Sequence, residues 1–158
     1  MEQEGLWLSS AEERLWQAWI DVNWRIERRV GEQIRRDGGI SHNEYAILAL
    51  LSQSPGRAAR MSTISGVAQI PRTRLTHQVD RLERLGVVRR GSSADDARVI
   101  MVELTDEGAE LLARAAPCHV RTVRAALLDA LDSEQVDTLT GLLELVLAHL
   151  EGSQAAEG

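Results

Sequence analysis

Apolar residues recur at three- and four-residue spacing over most of the chain, and the gaps between these runs hold Gly, Pro and Ser. From about Ser10 to Arg36, Leu15, Trp19, Val22, Ile26, Val30 and Ile34 form one helical row, with Trp16, Ile20 and Trp24 as a second row beside it. Two apolar rows on one helix need two packing partners. Asp37-Gly-Gly ends the run. Ser41-His-Asn-Glu44 is a capping box that opens a second helix with Tyr45, Ile47, Leu48, Leu50 and Leu51 as its core, and Ser54-Pro-Gly56 breaks it. A short third helix is predicted over Ser62–Ala68, and a fourth from Pro71, placed at the first helical position, to about Leu85. Val87–Arg90 and Val99–Val102 read as two strands of a hairpin with a long polar tip. Thr105-Asp-Glu caps a fifth helix, with a kink expected at Pro117, and Asp132-Ser-Glu-Gln starts a sixth that is apolar from Val136 to Leu150. The fold class is mainly α with a small β-hairpin wing: a winged helix-turn-helix core flanked by a helical layer.

Two short helices and a tight turn ahead of a hairpin suggest a reading helix followed by a wing. Leu75, Val79 and Leu82, at i, i+4 and i+7, fix the buried face of the fourth helix. Thr73 and His77 then point away from it, flanked by Arg74, Thr76 and Arg81. All five can donate hydrogen bonds to base edges or phosphates. The same spacing also suits a solvent-exposed amphipathic helix. In the hairpin, Asp96 precedes Arg98 by two residues and is expected to hold that side chain outward through a charge-assisted bond, aimed at a narrow minor groove.

Charge sharpens this picture. The chain of 158 residues carries a net −6, which by itself argues against a polyanion partner. Between Gly56 and Arg98, however, nine arginines face four acids, a local +5, while the rest carries −11. No apolar run approaches the roughly 20 residues of a membrane span, and the N-terminus lacks a signal-peptide pattern, so a cytoplasmic location without membrane contact is expected. The single Cys118 excludes an internal disulfide and is read as structural. Four scattered histidines and one cysteine offer neither a nucleophile–base pair nor metal-ligand spacing, and there is no Gly-rich phosphate loop. Neither catalysis nor a cofactor or metal is expected. A winged-helix module that binds protein instead of DNA remains the alternative.

The stretch from Arg60 to Gly108 resembles the winged-helix domain of the MarR (multiple antibiotic resistance regulator) family. The residues that carry the resemblance are Arg60-Met-Ser62, the run Arg74 to Glu83, Gly86-Val-Val-Arg-Arg90, Asp96-Ala-Arg98 and Leu104-Thr-Asp-Glu-Gly108, with Trp16, Trp19 and Ser41 to Tyr45 in the flanks. The resemblance implies a homodimeric regulator of transcription, a repressor, that binds a pseudo-palindromic operator in double-stranded DNA. Residues 8–36 and 106–150 would form the dimerisation region, 39–104 the DNA-binding domain, and 151–158 a disordered tail. Arg72, Thr73, Arg74, Thr76 and His77 become reading-helix contacts, Arg98 the wing contact supported by Asp96, and Arg81 and Arg90 phosphate candidates. A small aromatic or phenolic effector, with Trp16, His42 and Tyr45 as lining, is implied for many members. This chain departs from the pattern at Pro71, where a capping Ser is common, and at Ala97, where a first wing Arg is common.

Overall fold

A computed structural model describes residues 7–92, 96 and 98–156; Ala97, and with it the expected loss of one wing charge, lies outside the described residues. The elements in chain order are α1 (Ser10–Gly38), α2 (His42–Gln53), β1 (Ala58–Arg60), α3 (Met61–Val67), α4 (Arg72–Arg84), β2 (Val88–Ser92), β3 (Ile100–Leu104), α5 (Asp106–Ala126) and α6 (Ser133–Ala156). Short 3-10 turns at Pro55–Arg57 and Leu128–Ala130 link α2 to β1 and α5 to α6.

The helix starts follow local chemistry. Ser9 with Glu12, and Ser41 with Glu44, close reciprocal capping boxes on α1 and α2, each worth about 1 kcal/mol. Gly39, at φ 67°, ends α1 by donating its N–H to Arg35 O. Helix α4 ends in a Schellman turn, with Gly86 N donating to Glu83 O and Val87 N to Leu82 O. Pro71 is not the first helical residue but the cap before it, extended at ψ 140°; its carbonyl accepts the Leu75 N–H, and α4 has no side-chain cap.

The sheet is larger than a hairpin. It has the order β1-β3-β2, all antiparallel, with Ala59 and Arg90 flanking Val102 on the central strand. The strands start one residue later than the sequence predicts and run on to Ser92 and Leu104. Leu104, Thr105 and Gly108 weld the sheet to α5. Thr105 Oγ donates to Gly86 O at 2.7 Å and accepts the Gly108 N–H at 3.1 Å, while its own N–H donates to Val87 O. A Cβ at Gly108 would lie 2.2 Å from Val87 O and 2.6 Å from Leu104 Cδ1.

One continuous core runs through both layers. Ile47, Leu48 and Leu51 of α2, Ile64 of α3, Leu75, Val79 and Leu82 of α4 and Val102 of β3 are fully buried. Val30 and Ile34 of α1 and Leu112 and Ala115 of α5 belong to the same cluster. The C-terminal half of α1 and the first half of α5 are therefore part of the winged core, whereas the sequence pattern assigns both helices wholly to an outer layer. The N-terminal half of α1 is different: Leu15, Trp16, Trp19 and Trp24 are exposed, Leu15 by 71% and Trp24 by 76%. Helix α6 contributes no buried residue over 133–153 and makes only glancing contact with the described elements of its protomer. It also continues to Ala156, so the expected disordered tail is helical over residues 151–156, and residues 157–158 lie outside the described residues. No described helix is long and apolar enough to cross a membrane.

Candidate nucleic-acid interface

Leu75, Val79 and Leu82 seat α4 on the core, and the turn before it is held by two local bonds. Gln69 takes a left-handed φ of 53° and donates from Nε2 to Gly66 O at 2.8 Å, while Ser65 Oγ donates to Ile70 O at 2.8 Å. Arg72, Thr73, Arg74, Thr76 and His77 are all exposed on the first two turns. Thr76 Oγ donates back to Arg72 O at 2.9 Å, so its hydroxyl proton is occupied and its lone pairs are what it offers outward. The helix phase puts Arg72 and Thr76 on the wing side, Arg74 on the α2 side, and Thr73 and His77 between them.

The wing side holds a groove of about 340 Å³ between the start of α3, the first turns of α4 and the base of the wing. Arg60, Arg72 and Arg98 line it together with Ser62 and Thr76. Arg60 is a functional candidate that the sequence pattern leaves unassigned; its only signal there is its place in Arg60-Met-Ser62. Asp96 holds the wing turn differently from the expectation. Its Oδ1 accepts the backbone N–H of Arg98 at 2.9 Å, and its carbonyl accepts the N–H of Val99 at 3.0 Å. A carboxylate two residues back reaches the backbone without freezing a long side chain, so Asp96 shapes the turn through the backbone rather than holding the Arg98 guanidinium.

The nine arginines of the basic stretch sort into three groups. Arg60, Arg72, Arg74 and Arg98 have no ion-pair partner among the described residues. Arg84 bonds only a carbonyl, Asp80 O, at 3.3 Å. The other four are committed elsewhere. Arg57 pairs with Asp106 at 3.1 Å, and Arg89 forks onto Glu103 with bonds of 2.9 and 2.7 Å. Glu103 is held below the usual carboxylate range by that pairing.

Arg81 and Arg90, read from the sequence as phosphate candidates, are both engaged by acids of the same protomer. Arg81 donates to Glu44, a buried carboxylate, and to Gly39 O at 2.9 Å, tying α4 to the α1–α2 corner. Arg90 contacts Asp80 at 2.6 Å and Glu83 at 2.8 Å. Both partners lie far from these arginines in sequence or on another element, which is why the charge count alone does not separate paired from unpaired guanidinium groups.

The three residues named for an effector do not come together in one protomer. His42 Nδ1 lies 3.0 Å from Glu27 Oε1, and the Tyr45 ring centroid is 4.7 Å from that of His119. His42 and His119 are 6.2 Å apart, centroid to centroid. Trp16 stands eleven residues before Glu27 on α1, about 16 Å along the axis, and is half exposed. Tyr45 also edges a shallow groove of about 370 Å³ with Ala49, Arg57, Leu112 and Ala116. Burial, and then the neighbouring His42, hold the His119 imidazole below its ordinary pKa, and His119 Nδ1 is buried without a partner. Glu27 and His119 carry no sequence signal for this cluster. Cys118 accepts from Arg121 at 2.9 Å, and the hydrogen bonds of Gln33 and then of Cys118 hold the Asp37 carboxyl below the usual range. Among the described residues no cluster of three metal-ligating side chains forms.

A model of the MarR family matches residues 38–99, from the end of α1 to the wing. The HTH-type transcriptional regulator PapX of Escherichia coli is 36% identical over 97 residues, which is 61% of this chain and 58% of PapX. The match thus spans less than two thirds of that relative. The HTH-type transcriptional regulator PecS of Dickeya dadantii is 35% identical over 112 residues, 70% of this chain and 67% of PecS. A MarR family transcriptional regulator from Streptomyces coelicolor, whose crystal structure is a complex with DNA, is 39% identical with a TM-score of 0.89, covering 94% of this chain and 93% of that one. By its winged helix-turn-helix, its motifs and these likenesses, the chain belongs to the MarR family of transcriptional regulators.

Proposed function

We propose that this chain acts as a homodimeric, sequence-specific repressor of transcription. It would place α4 in a major groove and Arg98 in the adjacent minor groove of double-stranded DNA. The observation that carries the reading is the sorting of arginines. Arg60 at the end of β1, Arg72 and Arg74 at the start of α4 and Arg98 at the wing tip have no ion-pair partner among the described residues, while Arg57, Arg81, Arg89 and Arg90 of the same stretch are paired with acids. Unpaired guanidinium groups in a water-filled groove gain most from phosphate oxygens and guanine edges. Arg60 and Arg72 replace Arg81 and Arg90 as the phosphate contacts. The bare apolar face of α1 and the unpartnered α6 support a second copy of the chain as the occupant.

The test is selection of duplexes from a random library, followed by anisotropy titration at several salt concentrations. The expected product is a pseudo-palindrome with half-sites one helical turn apart, about 10 base pairs, and an affinity that falls steeply with salt. Arg74→Ala and Arg98→Ala each weaken binding about tenfold. No retention of any duplex at low salt would favour a protein-binding module instead. An aromatic effector has its best support at Tyr45 and His42, beside His119; release of the selected duplex by aromatic carboxylic acids, lost in Tyr45→Ala, would establish it.

A further inference from the structure

Wing and reading helix are joined by one side chain whose contacts follow a single stripe of α4. Thr76, Asp80 and Glu83 fall at i, i+4 and i+7 on that helix. Arg90, in β2, lies across all three. Its guanidinium contacts Asp80 Oδ1 at 2.6 Å and Glu83 Oε2 at 2.8 Å, and donates to Thr76 O at 3.3 Å. Glu83 Oε1 also accepts the backbone N–H of Arg90 at 2.9 Å, so one carboxylate grips both the strand and its side chain. The Arg90 side chain is only 25% exposed.

Two acids meet one guanidinium here, which leaves local negative charge beside a cationic interface. That sign is unfavourable for holding phosphate, so charge alone does not account for the arrangement. Its geometry does something else. Arg90 is paired with Val102, two rungs below the Ser92–Ile100 pair that ends the wing stem, and Arg98 stands beyond Ile100. Two rungs span roughly 7 Å, so a tilt at the clamp is carried outward to the wing arginine.

We infer that Arg90 is a positioning residue: with Asp80 and Glu83 it fixes the angle at which the wing leaves the reading helix, and so the separation between the major-groove and minor-groove contacts. The inference rests on the DNA-binding reading above.

The experiment is a double-mutant cycle on a duplex enriched by the wild-type protein. Arg90→Gln and the pair Asp80→Asn/Glu83→Gln are each measured with and without Arg98→Ala, at several salt concentrations. Both clamp variants are expected to weaken binding about tenfold, although one removes a positive charge and the other removes two negative charges. Arg98→Ala should then cost at most about twofold in either clamp background, against about tenfold in the wild type. In the Arg98→Ala background, adding Arg90→Gln should leave the salt slope unchanged. The inference is overturned if that slope drops by about one, as a lost phosphate contact requires. It is also overturned if the acid-pair variant binds more tightly, or if Arg98→Ala costs the same in every background. Should Arg90→Gln fail to fold, judged by its circular dichroism, the acid-pair variant decides by the sign of its effect. A wild-type protein that retains no duplex overturns the DNA-binding reading itself, and the clamp with it.

Discussion

Replacing Gly108 with Ala puts two effects of opposite sign against each other. Within a helix, Ala is ordinarily better than Gly by about 1 kcal/mol, and Gly108 lies in the first turn of α5. The added Cβ, however, would stand 2.2 Å from Val87 O and 2.6 Å from Leu104 Cδ1. A methyl carbon needs more than 3 Å from such an oxygen, so the strand and the helix must separate by about 1 Å. That separation strains a packed junction, at about 1–3 kcal/mol. It also loosens the Thr105 cap on the Gly108 N–H and the Thr105 bond to Val87 O, at about 1 kcal/mol. The junction effects win. The variant should lose about 1–3 kcal/mol net, which for a domain of this size lowers Tm by roughly 2–12 °C. Gly66→Ala is the internal control: it is also helical, and its Cβ would meet nothing within 4 Å. It should gain up to about 1 kcal/mol. Calorimetry at one fixed protomer concentration reads both, because Tm shifts with concentration in any associating protein. A Gly108→Ala protein that melts at or above the wild-type temperature would refute the steric argument.

Three further outcomes follow from the same geometry. Arg81→Met leaves the buried Glu44 carboxylate without its partner; because Arg81 is itself 43% exposed, the cost should be about 1–3 kcal/mol in urea unfolding, and Glu44→Gln, which keeps an acceptor for the Ser41 N–H, should cost less. Trp19→Glu puts a charge on the exposed apolar row of α1, and sedimentation should show mostly monomer where the wild type, on the proposed reading, sediments as a dimer; an unchanged dimer would remove that row from the interface. His119 takes up its proton in the folded protein at lower pH than in the unfolded chain, so its contribution to stability is full above pH about 6.5 and is lost as pH falls below that value and through its lower value in the folded protein. The melting temperature of His119→Gln should therefore fall less between pH 7.5 and 5.5 than that of the wild type, and equal slopes would rule this histidine out as a cause.

The parts of the site governed by one element's periodicity can be read from the chain. The three buried positions of α4 determine which residues face outward, and the structure keeps Thr73, Arg74, Thr76 and His77 exposed. Capping boxes and the Gly39 and Gly86 stops are equally local. What is not local stays hidden. Arg81 finds Glu44 across 37 positions and Arg57 finds Asp106 across 49, and nothing in the spacing of charges distinguishes them from Arg74. Strand β1 is Ala-Ala-Arg, with no β-branched residue and too short to alternate, so only its pairing with β3 makes it a strand. Asp96 and Arg98 were close enough to suggest a bond, but the residue spacing could not say that the backbone N–H would take the carboxylate first.

Helix α6 has a thermodynamic consequence of its own. A helix of 24 residues with no firm partner in its protomer is marginal in water, because its stability must come from packing. In a dimer its melting and the parting of the two copies become one event. Dilution of the proposed dimer would then do more than halve the number of DNA-reading surfaces per particle: it would unfold part of each copy. Occupancy of a two-site operator would accordingly rise more steeply than linearly with the amount of protein, and a modest change in synthesis would be read as a switch.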